Sequence, residues 1–230
     1  MSRESVLITG SSKGLGRELA LVFSQNNYNV ILHGRNETDL EDVRKKVLEN
    51  NVDCYIVQGD IGLSSTIKEL SRIAKEKDIS ILINNAGISS SELFEDSDTG
   101  RLEEMLKVNL FAPIKLTRDI YPLLVKKRKG TIININSVDA QTAKEKKVVY
   151  CATKWGLRGF TESLKREAKK NNIRIIGVYL GGMKTAMYDS AGADSSMCME
   201  PPHVARIIYN ITQTPPDVNV DDITINRQMY

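Results

Sequence analysis

"TGSSKGLG", residues 9–16, ends the apolar run SVLIT (5–9) and opens an amphipathic segment, and its three glycines decide how the rest of the chain is read. A strand that ends in glycines and passes straight into a helix lets backbone approach a bound group closely, with the helix N-terminus aimed at negative charge. A phosphate-bearing ligand suits such a turn. Gly10, Gly14 and Gly16 are spaced G-x-x-x-G-x-G, which differs from the commoner dinucleotide pattern G-x-G-x-x-G.

Outward from this turn, apolar runs recur at NVILH (29–33), CYIVQ (54–58), ISILI (79–83), TIINI (131–135), IRIIGVYL (173–180) and DDITI (221–225). SVLIT and the first three of these begin about 25 residues apart, the length of a strand–helix–strand crossover, which predicts a parallel sheet with helices on both faces. Long helical patterns run over 99–128 and 148–170, and Pro122 inside the first predicts a kink. No repeat, low-complexity stretch or linker interrupts the pattern. The 230 residues therefore read as one α/β domain, 1–230, built on a doubly wound parallel sheet of about seven strands.

Composition narrows the function. Lys and Arg number 32 against 29 Asp and Glu, a net charge of +3 that makes no case for nucleic acid or a membrane surface. The basic run Lys126 to Lys129 reads as a solvated helix C-terminus, favourable to the macrodipole. Three cysteines without a C-x-x-C pair fit a reducing compartment. With a strand starting by Ser5 and no long apolar stretch, neither a secretion signal nor a membrane span is expected, and a cytoplasmic enzyme is. No metal site is expected.

In open α/β sheets, ligands bind beyond the carboxyl ends of the strands. Those positions hold HGRN after the second run, GDI after the third, NNAG after the fourth, INS after the fifth and LGGMKT after the sixth. An acidic side chain at the end of the second strand would accept a ribose 2′-hydroxyl, but Gly34 and Arg35 stand there and Lys13 lies in the glycine turn. Two cations at that place predict NADP(H) over NAD(H), unless both only decorate the surface. Asp60 is placed to accept from an adenine amino group, and Asn85-Ala86-Gly87 to border its ribose; the alternative for each is an Asx turn or cap.

The pair Tyr150 and Lys154, in YCATK, shares one helix face at i and i+4. A lysine ammonium about 4 Å from a phenol, at an effective dielectric of about 20, contributes roughly 4 kcal/mol, enough to bring the tyrosine from about 10 to about 7. Ser137, 13 residues earlier at the end of the fifth run, is placed to donate to the same oxygen that Tyr150 would protonate after hydride reaches a carbonyl carbon. Asn109, in KVNL, is a candidate anchor for a water serving Lys154. The alternatives are a capping serine and an asparagine satisfied inside a helix.

Taken in order, TGSSKGLG, Asp60, NNAG, Asn109, Ser137, YCATK and GGMKT resemble a compact short-chain dehydrogenase/reductase, of Rossmann fold, over nearly the whole chain. The resemblance implies Asn109, Ser137, Tyr150 and Lys154 as a catalytic tetrad. It implies cofactor contacts at Gly10, Ser12, Lys13, Gly14, Leu15, Gly16, Arg35, Asp60, Ile61, Asn85, Ala86, Gly87, Tyr150, Lys154, Met183 and Thr185. The chain departs from the family at Gly181-Gly182, where Pro-Gly is usual, and loss of the proline should loosen that junction. The lid reads short, because the Pro201-Pro202 turn follows soon after Thr185.

Substrate contacts are expected from Ser89 to Ser91, from Asp139 to Val149, and from the lid around Met187 and Tyr188. The run from Lys144 to Lys147 is either a solvated loop or a hint of an anionic substrate. The leading reading is an NADP(H)-dependent reductase of a ketone, aldehyde or 3-oxo thioester. Its rivals are a nucleotide-sugar epimerase or dehydratase, which would need a larger substrate domain, and a non-enzymatic NADP-binding regulator. By the same resemblance the two long helices form the contact of a homodimer or homotetramer, unless their apolar faces serve only the core.

Overall fold

The computed structural model describes residues 3–185, 198–215 and 217–227. Its strands are β1 (Ser5–Ile8), β2 (Asn29–Gly34), β3 (Cys54–Gln58), β4 (Ile81–Asn84), β5 (Gly130–Ser137), β6 (Ile173–Leu180) and β7 (Asp222–Ile225). They form one sheet in the order β3-β2-β1-β4-β5-β6-β7, and every pairing is parallel. The seven expected runs are the seven strands. The order reverses between β1 and β4, which opens the crevice at their carboxyl ends.

Both faces of the strands are apolar because helices cover both. Along β1, Val6 and Ile8 face one core with Leu15, Leu19 and Phe23 of α1 (Gly14–Gln25), Leu40 and Val43 of α2 (Glu37–Leu48), and Val204 and Ile208 of a C-terminal helix (Pro201–Thr212). Leu7, between them, faces the other core with Ile67 and Leu70 of α3 (Ser64–Glu76) and a helix carrying Leu116, Ile120 and Leu124. The Pro201-Pro202 pair opens the C-terminal helix as its first turn, where a missing N–H costs nothing.

The long pattern at 99–128 is not one uniform helix. It comprises α4 (Thr99–Leu106), a π turn (Lys107–Phe111) and α5 (Ala112–Lys127), which continues through Pro122. Arg128 then takes the left-handed conformation that ends it, and Lys127 donates to the Asp78 carboxylate and the Ile79 carbonyl. The second long pattern is α6 (Val148–Ala168), and the C-terminal helix is α7. Gly156 of α6 faces the Leu110 side chain so closely that a Cβ would lie 3.0 Å from it. That close approach seats α6 against the π turn. Among the described residues, no helix is long and apolar enough to cross a membrane.

The junction after β6 is tighter than the loss of a proline suggested. Gly181 donates its N–H to the Ile225 carbonyl at 2.9 Å, and a side chain there would run into Asn226. A proline has neither the donor nor the room. Gly181→Pro is therefore expected to destabilise the protein by about 3 kcal/mol, read as a lower urea midpoint and melting temperature.

Candidate active site

Three segments converge at the crevice. The glycine turn after β1 is held by side chains rather than by its own backbone alone. Asn85, after β4, donates through Nδ2 to the carbonyls of Thr9 (2.9 Å) and Gly10 (3.0 Å), while Thr9 Oγ1 accepts from the N–H groups of Asn85 and Ala86. Gly10, with φ +66°, lies against Ala86, where a Cβ would come within 2.9 Å of backbone. Gly14, at φ +55°, faces Thr185, so the segment after β6 reaches the same turn. The glycines let backbone and neighbouring chain pack closely at the start of α1, whose N-terminus no side chain caps, an end suited to a pyrophosphate.

His33 is a brace of this turn that the sequence pattern concealed. It reads as one more residue of a buried strand, yet its Nδ1 accepts from Gly10 N–H at 3.2 Å, and its backbone exchanges bonds with Ser11. Burial, partly offset by the Gly59 backbone and Asp60, pushes His33 down to about 4. The ring is neutral, and the acceptor role of Nδ1 requires that it be so.

At the end of β2, Gly34 packs on Ser12, and the exposed Arg35 has one carboxylate near it, that of Glu104 at 3.8 Å. Lys13 is exposed at the N-cap of α1. Leu15 and Ile61 are core residues, so they can meet a ligand through backbone only. Asp60 makes the Asx turn that its sequence allowed, accepting from Gly62 N–H at 2.8 Å through Oδ1 and leaving Oδ2 for another donor.

The chemistry-bearing side chains meet where β5 ends and α6 begins. Tyr150 and Lys154 are buried on one face of α6, with the lysine Nζ 5.7 Å from the phenol ring centre. Lys154 donates to the Ile135 carbonyl at 3.1 Å, and burial pushes it down to about 8 against the opposing pull of Asp139. Burial likewise pushes the Tyr150 phenol up to about 12; a hydrogen bond with Ser137 acts the other way, and the Asp139 charge adds to the rise. This corrects the expectation of a phenol near neutrality. A desolvated ring whose lysine bonds a carbonyl is governed by burial, because the loss of water around the phenolate exceeds what that cation returns.

Asn109 sits in the π turn, a distortion common at functional positions. Its amide clips the chain after β4, accepting from Ile88 N–H and donating to Ile88 C=O, both at 2.8 Å. It also donates to Thr153 Oγ1, which donates in turn to the Tyr150 carbonyl. Thr153 was missed by motif reading, although it stands inside YCATK. Asn109, Gly87 and Lys154 lie together: a Cβ on Gly87 would be 3.3 Å from Asn109 Oδ1 and 3.9 Å from Lys154 Nζ. Met183 bridges to Met199 as an isolated parallel pair.

Of the residues expected at the substrate, Ser89 accepts from Arg101 through its carbonyl, and Glu92 N–H donates to Lys146 C=O, joining the two loops at the crevice. Lys144 and Lys147 both pair with the buried Asp139, at 2.8 and 3.2 Å. They are therefore not simply a solvated run. The lid around Met187 and Tyr188 lies outside the described residues. A separate cavity of about 830 Å3 lies at the opposite end of the sheet, lined by Glu4, Lys129, Lys165, Arg174 and Asp222 among others. Of its cations, Lys129 pairs with Glu4, Lys165 with Asp222, and Arg174 donates to Thr214.

The chain belongs to the short chain dehydrogenase family, whose model matches residues 4–196. It is 28% identical, over 95% of each chain, to an uncharacterized oxidoreductase of Staphylococcus saprophyticus and, over the same shares, to one of Staphylococcus epidermidis. Its fold is that of an alcohol dehydrogenase from the archaeon Thermococcus sibiricus complexed with 5-hydroxy-NADP (TM-score 0.91, 20% identity, all of both chains). It is also that of a short-chain dehydrogenase from Sphingobium yanoikuyae in complex with NADPH (TM-score 0.88, 24% identity, 96% of this chain and 87% of that one).

The brace on the glycine turn predicts a pH dependence. Between 6.5 and about 4 the unfolded chain takes up a proton at His33 that the folded chain refuses. Stability should be fully present above the unfolded value and fall as pH drops toward the folded one, by about 3 kcal/mol, in urea unfolding followed across that range. His33→Asn should be less stable at neutral pH and lack that share of the slope.

Proposed function

We propose that the protein is an NADP(H)-dependent oxidoreductase that interconverts a carbonyl, in a ketone, aldehyde or 3-oxo thioester, and an alcohol. The observation that carries this reading is the meeting of Ser137, Tyr150 and Lys154, all buried, where β5 ends and α6 begins, at the same carboxyl edge of the sheet as the glycine turn. The nicotinamide cofactor supplies the hydride when it is bound. Its phosphates and adenosine would be held by Gly10, Ser12, Lys13, Gly14, Leu15, Gly16 and Arg35 on one side and by Asp60, Ile61, Asn85, Ala86 and Gly87 on the other. Tyr150, Lys154, Met183 and Thr185 would hold the nicotinamide end.

The chain's own groups manage the proton. A phenol pushed up to about 12 is protonated at physiological pH and is ready to give its proton to a forming alkoxide, the acid role needed for reduction. Ser137 Oγ accepts from Asp139 N–H at 3.1 Å, and its hydroxyl, hydrogen-bonded with Tyr150, is placed to donate where negative charge develops. Lys154, pushed down to about 8, carries charge near neutrality and can refill the phenol, with Asn109 fixing the segment against which it lies. NADP(H) is preferred because Gly34 supplies no carboxylate to meet a 2′-phosphate, while Lys13 and Arg35 are exposed beside it. The NADP and NADPH complexes of the two solved relatives agree with that choice.

We place the whole chain, 1–230, in one domain that binds both cofactor and substrate, in the cytoplasm, where the buried thiols Cys54 and Cys151 would stay reduced. Phe111, Val148 and Trp155 are about half exposed around the π turn and α6, which supports a homodimer or homotetramer built on these helices. Light scattering that finds only monomer would remove the assembly.

Tyr150→Phe should reduce NADPH-dependent turnover of a ketone, aldehyde and 3-oxo thioester panel by about 10³-fold while NADPH binding persists. Turnover surviving in that variant would overturn the mechanism; tight NADPH binding with no turnover in the unaltered protein would favour the regulatory reading. Arg35→Ala combined with Lys13→Ala should lower the NADPH to NADH affinity ratio by about tenfold or more, measured by fluorescence titration.

A further inference from the structure

Asp139 is the buried charge for which the proton chemistry above has no use. It stands two residues after Ser137 in a 3-10 turn (Val138–Ala140), and its side chain is almost wholly enclosed. Burying a carboxylate is costly unless it is paired, and here two cations meet it, Lys144 Nζ at Oδ1 (2.8 Å) and Lys147 Nζ at Oδ2 (3.2 Å). Lys147 Nζ also lies 5.5 Å from the centre of the Tyr150 ring, about as near as Lys154 Nζ at 5.7 Å. The bond to Ser137 Oγ comes from the Asp139 backbone N–H, so any residue but proline at this position could supply it. The carboxylate is thus not needed to orient the serine.

We propose that Asp139, clamped between Lys144 and Lys147, is a positioning residue that sets the charge balance at Tyr150, holding Lys147 beside the phenol while cancelling its charge. The inference rests on the role given to Tyr150 above. Without Asp139, Lys147 would act on the ring uncompensated and favour the phenolate; without Lys147, only Lys144, on the far oxygen, would offset Asp139, and the phenolate would be disfavoured. The direction in which Asp139 moves the phenol and Lys154, upward in both, agrees. The other groups around the cluster do not supply this balance. Ser137 carries no charge, Cys151 on the same helix acts on the phenol in the direction Asp139 does, Lys154 sits on the Ile135 carbonyl under the pull of Asp139, and Arg158 of α6 donates to the Ala140 carbonyl and pairs with Glu162. Glu92, from the segment after β4, meets this loop through its backbone N–H to Lys146, and Tyr179 of β6 lies beside Arg158.

A clasp that merely fastened the loop 141–147 would have no sign, whereas a charge balance has one. The test is the ionisation of Tyr150 in the full chain, followed by NMR with carbon-13 in the tyrosine Cζ and assigned by the signal missing from Tyr150→Phe. Tyr150 ionises at about 12, where an ordinary lysine has lost its charge and an arginine has not. Asp139→Asn, which keeps the backbone donor, should therefore ionise Tyr150 at a pH lower by on the order of one unit, and Lys147→Arg at a pH lower than Lys147→Met by a similar amount. The two shifts together establish the balance. Unmoved titration in all three variants, with only melting temperature changed, would reduce the cluster to a loop clasp. If Asp139→Asn does not fold, the difference between Lys147→Arg and Lys147→Met decides alone. The NMR result needs no substrate or cofactor, so it stands apart from the fate of the proposed reaction, which Tyr150→Phe turnover judges separately.

Discussion

A lysine ammonium removed from water is the constraint around which this site is built. Lys154 is buried with its Nζ against the Ile135 carbonyl, and a charge in that position costs free energy that the surroundings must return. They return part of it: the cation still falls to about 8, with Asp139 pulling it back. The strands, the π turn and the loop after β4 are placed as they are so that a carbonyl, a carboxylate and room for the ammonium coincide. Gly87 contributes the room, since a side chain there would crowd both Asn109 and Lys154 Nζ.

Holding such a group requires a stiff frame, and part of the frame is polar where a strand core is usually apolar. Asn84 of β4 donates to Asn134 Oδ1 of β5 at 2.8 Å and to Thr117 of α5, and Asn134 donates to Thr161 of α6 at 2.9 Å. Asn136, two residues along β5, donates to the Lys154 carbonyl and accepts from Ser137 N–H. These asparagines tie β4, β5, α5 and α6 into one register by directional bonds, which van der Waals packing alone would allow to slip. Ser137 and Lys154 therefore keep their separation because the same ladder locates both.

The parallel strands and the crevice could be read from the sequence because parallel strands buried on both faces leave continuous apolar runs, and glycines at strand ends have few other uses; their order in the sheet could not. Tyr150, Lys154 and Ser137 could be found because their chemistry restricts residue type. What remained hidden was the function of residues whose type carries no such signal. His33 inside NVILH looks like a strand residue, and its hold on Gly10 depends on a contact 23 positions away. Within the π turn of Asn109, Leu110 packs against Gly156 of α6, a contact that no local pattern encodes. The asparagines in TIININS were the one visible clue, since an amide inside an apolar strand must find a buried partner.

The electrostatic expectation failed for a reason that bears on mechanism. A tyrosine four residues from a lysine was read at the dielectric of a surface, which made the phenol acidic; the folded chain removes water from both groups and separates the ammonium from the ring centre by 5.7 Å. Burial then acts on the two groups in opposite directions, raising the acid and lowering the base, so each is displaced toward its neutral form. Moving a proton from the phenol to the lysine is therefore harder in the fold than in water, whereas a charged Lys154 would give its proton readily to a phenolate. The pair that sequence spacing presented as a way to acidify a phenol is, in the folded protein, one whose burial keeps that phenol protonated.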